Sequence, residues 1–231
     1  LKAKYCRAGL RATIAFCKEH SLPYLQCGKL IVATDQIEQA RLAALYTRCL
    51  SNELDIERLS SVQINKAEPY VTGQEAILVK DTGITDYHKI AQTMLTLFTE
   101  DGGEVCFGQT VQAMEDMGES VRVKTDDHVF DARFLVNCAG LMSDRLIKMM
   151  GLEPGFQIVP FKGEYFRLAD RLNQIVSHLI YPVPDPAMPF LGVHLTRMIG
   201  GYVTVGPNAV LALGREGYGK LQVSGKDMLE M

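Results

Sequence analysis

The sequence predicts an α+β chain of mixed α/β character, and three observations predict it. Residues 87–151 read as helix, strands, strand, helix, which is the texture of an α/β layer. Residues 22–80 and 157–210 are strand-rich and predict a second, largely antiparallel sheet with flanking helices. The chain has 231 residues, 47% hydrophobic and 22% charged, enough for one large or two small globular domains.

The elements follow in order. Residues 1–19 are helical in composition, with Leu1, Tyr5, Ala8, Ala12, Ala15 and Phe16 as the apolar positions, and Ser21-Leu22-Pro23 ends the helix. Residues 28–33 form a short apolar strand. Thr34 or Asp35 caps the next helix, Asp35 and Glu38 having capping-box spacing, and Ile37, Ala40, Ala44 and Leu45 give its buried face. Leu54, Ile56 and Leu59 mark an extended segment, and residues 61–68 a short helix closed by Pro69. Residues 76–79 are a strand, and Thr85 or Asp86 caps a helix over 87–100 with Ile90, Met94, Leu97 and Phe98 at helical spacing.

Gly102-Gly103 stops that helix, and strands are expected at 104–107, 110–114, 120–124, 128–130 and 134–136. Asn137-Cys138-Ala139-Gly140 then lead into a helix over 142–150 that Gly151 closes in a left-handed cap. Small residues where a strand turns into a helix bring main-chain N–H groups close to a neighbour, which suits an anion such as a pyrophosphate. An ordinary strand-to-helix connection has the same text. Residues 157–168 and 175–181 alternate as strands, and the three prolines Pro182, Pro184 and Pro186 make a rigid loop. Residues 190–198 and 202–205 pair as a hairpin across Gly200-Gly201, and Gly206-Pro207-Asn208 breaks the second strand.

Net charge is −3, which leaves no electrostatic footprint for nucleic acid. No apolar run is long enough to span a bilayer, and no signal-peptide pattern opens the chain. The six cysteines form no C-x-x-C pair, most sit inside apolar patterns, and they read as reduced core residues of a cytoplasmic protein. No histidine spacing supports a metal, and no G-x-S-x-G elbow supports a hydrolase. The chain opens at Leu1 inside a helical pattern, so it is expected to be an internal piece of a longer protein.

Several stretches together resemble the FAD-dependent oxidoreductases of the D-amino-acid oxidase type, in particular the branch acting on L-2-hydroxyglutarate. They are VNCAGLMSDRLIKMMGLEPG (136–155), PFKGEYFRL (160–168), HLIYPVPDPAMPFLGVHLTRMIGG (178–201) and TVGPNAVLA (204–212). LKAKYCRAGLRATIAFC (1–17) and CGKLIVAT (27–34) fit with less diagnostic text. The resemblance implies a partial FAD-binding α/β layer over 1–20 and 86–156, and a substrate-binding sheet over 21–85 and 157–231. It implies FAD as cofactor, a 2-hydroxy dicarboxylate as substrate, and oxygen or a quinone as electron acceptor. It also implies a cytoplasmic location, with peripheral contact at the inner membrane. The family's G-x-G-x-x-G turn has no counterpart in this sequence, so the chain as it stands is expected to be inactive. Rival readings are an amino-acid or secondary-amine oxidase of the same fold, and a non-catalytic remnant.

The resemblance assigns sites residue by residue. Val111 matches a position whose main chain meets the adenine, and Cys138, Ala139 and Gly140 match the small-residue turn that approaches the flavin nucleotide. His194 lies on a strand that faces the flavin in related enzymes, where it takes the substrate hydroxyl proton as hydride leaves the carbon. Lys162 and Arg197 are the candidate cations for two carboxylates, although Arg197 has the opposite strand parity to His194 and Thr196. Tyr165, Tyr181 and Thr196 complete the candidate pocket as hydrogen-bonding residues.

Overall fold

The protein is described from a computed structural model, which covers residues 2–188, 192–219 and 222–231. Packing divides the chain into two compact units, Leu1–Asp101 with Gly163–Asn208, and Gly102–Lys162 with Ala209–Met231. These boundaries differ from the partition that the resemblance implies, 1–20 with 86–156 against 21–85 with 157–231.

In the first unit α1 spans Lys2–Glu19, β1 Tyr24–Leu25, β2 Lys29–Ala33, α2 Gln36–Ser51, β3 Ile56–Ser60, α3 Ser61–Ala67, β4 Glu75–Val79, β5 Ile84–Thr85 and α4 Tyr87–Glu100. In the second, β6 is Val111–Asp116, β7 Val121–Thr125, β8 Val129–Ala132 and α5 Ser143–Met149. The remaining elements are β9 Phe161–Arg167, β10 Leu179–Pro182, β11 His194–Arg197, β12 Val203–Leu211 and α6 Gly225–Glu230.

The main sheet has seven strands in the order β3-β4-β2-β10-β11-β12-β9. β10 lies parallel to β2, with Tyr181 opposite Ile31, while β3/β4, β2/β4, β10/β11 and β11/β12 are antiparallel. Strand alternation separates two faces. On one, α2 lays Leu42, Leu45 and Tyr46 over Ile31, Ala33 and Ile77. On the other, Ile64 of α3 joins Val71, Ile175 and Val176 over Leu30, Val32 and Val203. Each fully buried aliphatic side chain contributes roughly 1.5–3 kcal/mol. β4 and β2 are thus covered on both sides.

The helix caps follow the sequence. Asp35 accepts from Glu38 N at 2.8 Å, while Glu38 Oε2 takes the N–H and hydroxyl of Thr34, both at 2.7 Å, so the box closes one residue early. Ser60 and Gln63 cap α3 reciprocally, and Asp86 caps α4. Two helix faces differ from expectation. Tyr5, Ala8, Ala12 and Ala15 of α1 are exposed, and Cys17 is buried above half-buried Leu10 and Ile14. On α2, Ile37 is exposed and Leu42 and Cys49 are buried. Alanine carries little apolar area, so the larger side chains decide which face turns inward.

The second unit holds a three-stranded antiparallel sheet, β6-β7-β8. Gly151, at φ +70°, closes α5: its N–H donates to Lys148 O and that of Leu152 to Ile147 O, as in a Schellman cap. Residues 104–107 and 134–136 are not strands, contrary to the sequence reading, and Phe134 and Val136 are 88% and 79% exposed. A strand needs a ladder partner, and none of the described strands pairs with either stretch. The hairpin is formed as expected, although residues 190 and 191 lie outside the described residues. β12 runs on through Gly206 and Pro207 to Leu211 instead of breaking there. None of the described helices is long and apolar enough to cross a membrane.

Candidate active site

The side chain of His194 is the centre of a polar cluster on the α2 side of the main sheet. Parity puts His194 and Thr196 on one face of β11, and Leu195 and Arg197 on the other. His194 is 6% exposed. Its ring stacks on Tyr181 at 4.0 Å between centroids and 12° between planes, and Tyr165 meets it edge-on at 6.1 Å. The Gly206 main chain, opposite His194 on β12, leaves room for Tyr165: a Cβ at 206 would lie 2.8 Å from the Tyr165 ring.

The imidazole has a defined proton arrangement. Nδ1 is 3.0 Å from Gly192 O. A carbonyl oxygen only accepts, so Nδ1 carries the hydrogen and Nε2 of the neutral ring carries the lone pair. Burial pushes the Tyr181 phenol above the ordinary tyrosine range, the Tyr165 phenol adds to the rise, and a hydrogen bond with the Thr196 side chain opposes it. Tyr165, Tyr181, Thr196 and His194 are therefore brought together. Beside them a groove of about 290 Å³ is lined by Val32, Thr34, Ile180, Tyr181, His194 and Val205, among others.

Lys29 joins this cluster, and the sequence reading missed it. Its Nζ lies 5.1 Å from the centre of the Tyr181 ring. Burial lowers its ammonium below the ordinary lysine range. The available signal was parity: Lys29 alternates with Ile31 and Ala33, so a charge sits on a strand face that is otherwise core.

The other candidates lie elsewhere. Arg197 shares its face with Leu195 and Val203, the side away from the imidazole. Lys162 belongs to the second unit, with Nζ 3.5 Å from Gly219 O. Val111 opens β6 opposite Thr125. Cys138 is exposed, and Ala139 N donates to Asn137 Oδ1 at 3.1 Å. Gly140 sits at φ +54° with no atom within 4 Å of where a Cβ would stand. This corner presents open main chain and small side chains, which fits the close approach of a nucleotide. None of the described histidine, cysteine and carboxylate side chains cluster as a metal site.

The chain belongs to the FAD dependent oxidoreductase (DAO) family, whose profile matches residues 1–229. It is 51% identical over 232 residues to L-2-hydroxyglutarate dehydrogenase of Salmonella houtenae, covering all of this chain and 55% of that protein. It is 40% identical over 244 residues to the mitochondrial L-2-hydroxyglutarate dehydrogenase of Homo sapiens, covering 53% of that protein. The chain spans about half the length of the curated relatives it matches. Among solved structures, L-α-glycerophosphate oxidase from Mycoplasma pneumoniae with FAD bound superposes with a TM-score of 0.76 at 21% identity, over 84% of this chain and 52% of that one. Glycine oxidase from Geobacillus kaustophilus gives 0.74 at 15% identity, over 100% and 59%. These two likenesses show the shared fold.

Proposed function

We propose that the protein carrying this chain oxidises L-2-hydroxyglutarate to 2-oxoglutarate. The observation that carries this reading is His194, whose Nδ1–H is held by Gly192 O and whose Nε2 has a lone pair to offer. The names of the relatives, at up to 51% identity, supply the substrate. FAD, when bound, supplies the acceptor for the hydride that leaves C2. Val111, Cys138, Ala139 and Gly140 would hold its nucleotide by main chain and small side chains.

The substrate hydroxyl donates its proton to His194 Nε2, and the O–H electron pair becomes the second bond of the carbonyl. Stacking on Tyr181 keeps the imidazole plane fixed, so the base needs no reorientation. Tyr165 and Thr196 offer hydroxyl groups to the substrate. Arg197 receives no role here, because its parity turns it to the opposite face. Oxygen or a quinone would be the final electron acceptor. The proposed location is the cytoplasm, with peripheral contact at the inner membrane, in keeping with six free cysteines.

Replacing His194 with Ala in the full-length protein is expected to lower kcat by about 10²–10⁴-fold, with flavin absorbance retained. Near-native turnover would return His194 to a structural role. Formation of 2-oxoglutarate supports the substrate, whereas ammonia or a primary amine as product would make the protein an amine oxidase.

A further inference from the structure

We propose that Gly192 is a positioning residue for His194: its bare main chain fits against the ring of Pro182, and only so does its carbonyl reach Nδ1 and leave Nε2 as the basic atom. This rests on the reaction proposed above. Gly192 O is 3.0 Å from His194 Nδ1, and among the described residues no second acceptor meets that nitrogen. Which imidazole nitrogen carries the hydrogen is set by the partner it finds, so whatever places this oxygen selects the base. The neighbouring strand β10 governs that placement. It pairs with β11 through Ile180 and Leu195, and its next two residues meet the site. Tyr181 stacks on the imidazole and sets its plane. Pro182 packs on the main chain at Gly192.

That packing leaves no room for a side chain at 192. A Cβ there would lie 2.6 Å from Pro182 Cγ, 3.6 Å from its Cβ and 3.8 Å from its Cδ. Carbon atoms rest at about 3.5–4.0 Å, so the nearest approach is a clash of about an ångström. The proline side chain is a ring closed onto its own main chain, and it has no rotamer that would turn it away. Pro182 is also seated in the sheet, opposite Val32 of β2. The main chain at 192 is therefore the side that yields, and its carbonyl moves with it. Backbone conformation supplies no competing reason for glycine, because Gly192 does not adopt a positive φ. A glycine needed only for folding would lower stability when replaced, without moving the imidazole hydrogen.

The test follows the imidazole nitrogens of the isotope-labelled full-length flavoprotein by NMR, the His194 signals being those lost in His194→Gln. The native protein and Pro182→Ala are expected to carry the hydrogen on Nδ1. In Gly192→Ala the hydrogen is expected to move mostly to Nε2, and kcat to fall roughly ten- to a hundredfold with KM within about threefold of native. Pro182→Ala removes the clashing Cγ. The double variant Pro182→Ala/Gly192→Ala is therefore expected to return the hydrogen to Nδ1, and kcat to within about threefold of Pro182→Ala alone. A native His194 protonated on Nε2 overturns the proposal. So does Nδ1–H retained in Gly192→Ala, or lost as fully in the double variant as in Gly192→Ala. Should Gly192→Ala fail to fold, the double variant is compared with Pro182→Ala: Nδ1–H in both supports the proposal, and its loss in the double variant alone overturns it. Absence of 2-oxoglutarate among the products of the native protein would sink the reaction itself, and the tautomer spectra are read separately from it.

Discussion

At the scale of single residues the site depends on main chain as much as on side chains. Gly206 is the clearest case. A Cβ there would lie 2.7 Å from Glu164 O and 2.8 Å from the Tyr165 ring, at φ +151°. Gly206→Ala is therefore expected to destabilise the fold by about 1–3 kcal/mol, read from a urea midpoint, and to displace Tyr165 from the imidazole. An unchanged midpoint would mean that the β9–β12 main chains give way freely. The strand face on which His194 lies was legible from parity. Its proton arrangement was not, because that depends on Gly192 O and on Tyr181 from another strand. His178 shows the same limit. It reads as an isolated histidine, yet its Nδ1 is 2.6 Å from Glu68, a carboxylate 1% exposed and 110 positions away. Glu68 also accepts the N–H groups of Ser177 and His178.

At the scale of elements, the second unit is tied by an ionic network between α5 and the C-terminal stretch. Arg215 and Asp144 are each 4% exposed and form a two-pronged pair, with Arg215 Nη2 2.7 Å from Asp144 Oδ2. Arg145 binds Asp227 and Glu230, and Arg215 reaches Glu230 at 3.0 Å. Asp144→Asn leaves a buried guanidinium short of its counter-charge and is expected to cost about 3–5 kcal/mol. The network also sets a pH dependence. The Arg215 guanidinium holds Asp144 below the usual carboxylate range, Arg145 does so for Glu230, and the Arg215 N–H and Arg145 do so for Asp227. In the unfolded chain these carboxyls titrate near pH ~4. The unfolded state therefore binds more protons as pH falls, so the stabilisation is complete above about pH 5 and is lost as pH drops through the lower folded values. Urea midpoints between pH 6 and 3 should fall for the native chain and fall less for Asp144→Asn; parallel curves would refute the assignment. None of this was visible in the sequence, because the pairs that join α5 to the C-terminal stretch lie 71 to 85 positions apart. Caps and strands, which depend on near neighbours, were legible. Residues 104–107 and 134–136 were misread because strand texture does not reveal whether a partner strand exists.

At the scale of the whole molecule, the two textures were legible, but the partition by packing was not. It depends on which distant segments close each unit. Substantial apolar surface stays uncovered: Tyr87, Met94 and Phe98 on α4, and Phe134 and Val136 in the second unit, are all more than half exposed. Patches of this kind bind other apolar surfaces. The 231-residue chain expressed by itself is expected to bind a hydrophobic dye and to self-associate above micromolar concentration, measured by dye fluorescence and light scattering. A dye-silent monomer would contradict that exposure. Both units are also discontinuous in the chain, and this governs their birth on the ribosome. β2 is made early, but its parallel neighbour β10 emerges only after all of residues 102–162. Those residues wait in turn for 209–231, which carry Arg215 and Asp227. Neither half can consolidate during translation until the later segment, 163–208 or 209–231, has been made.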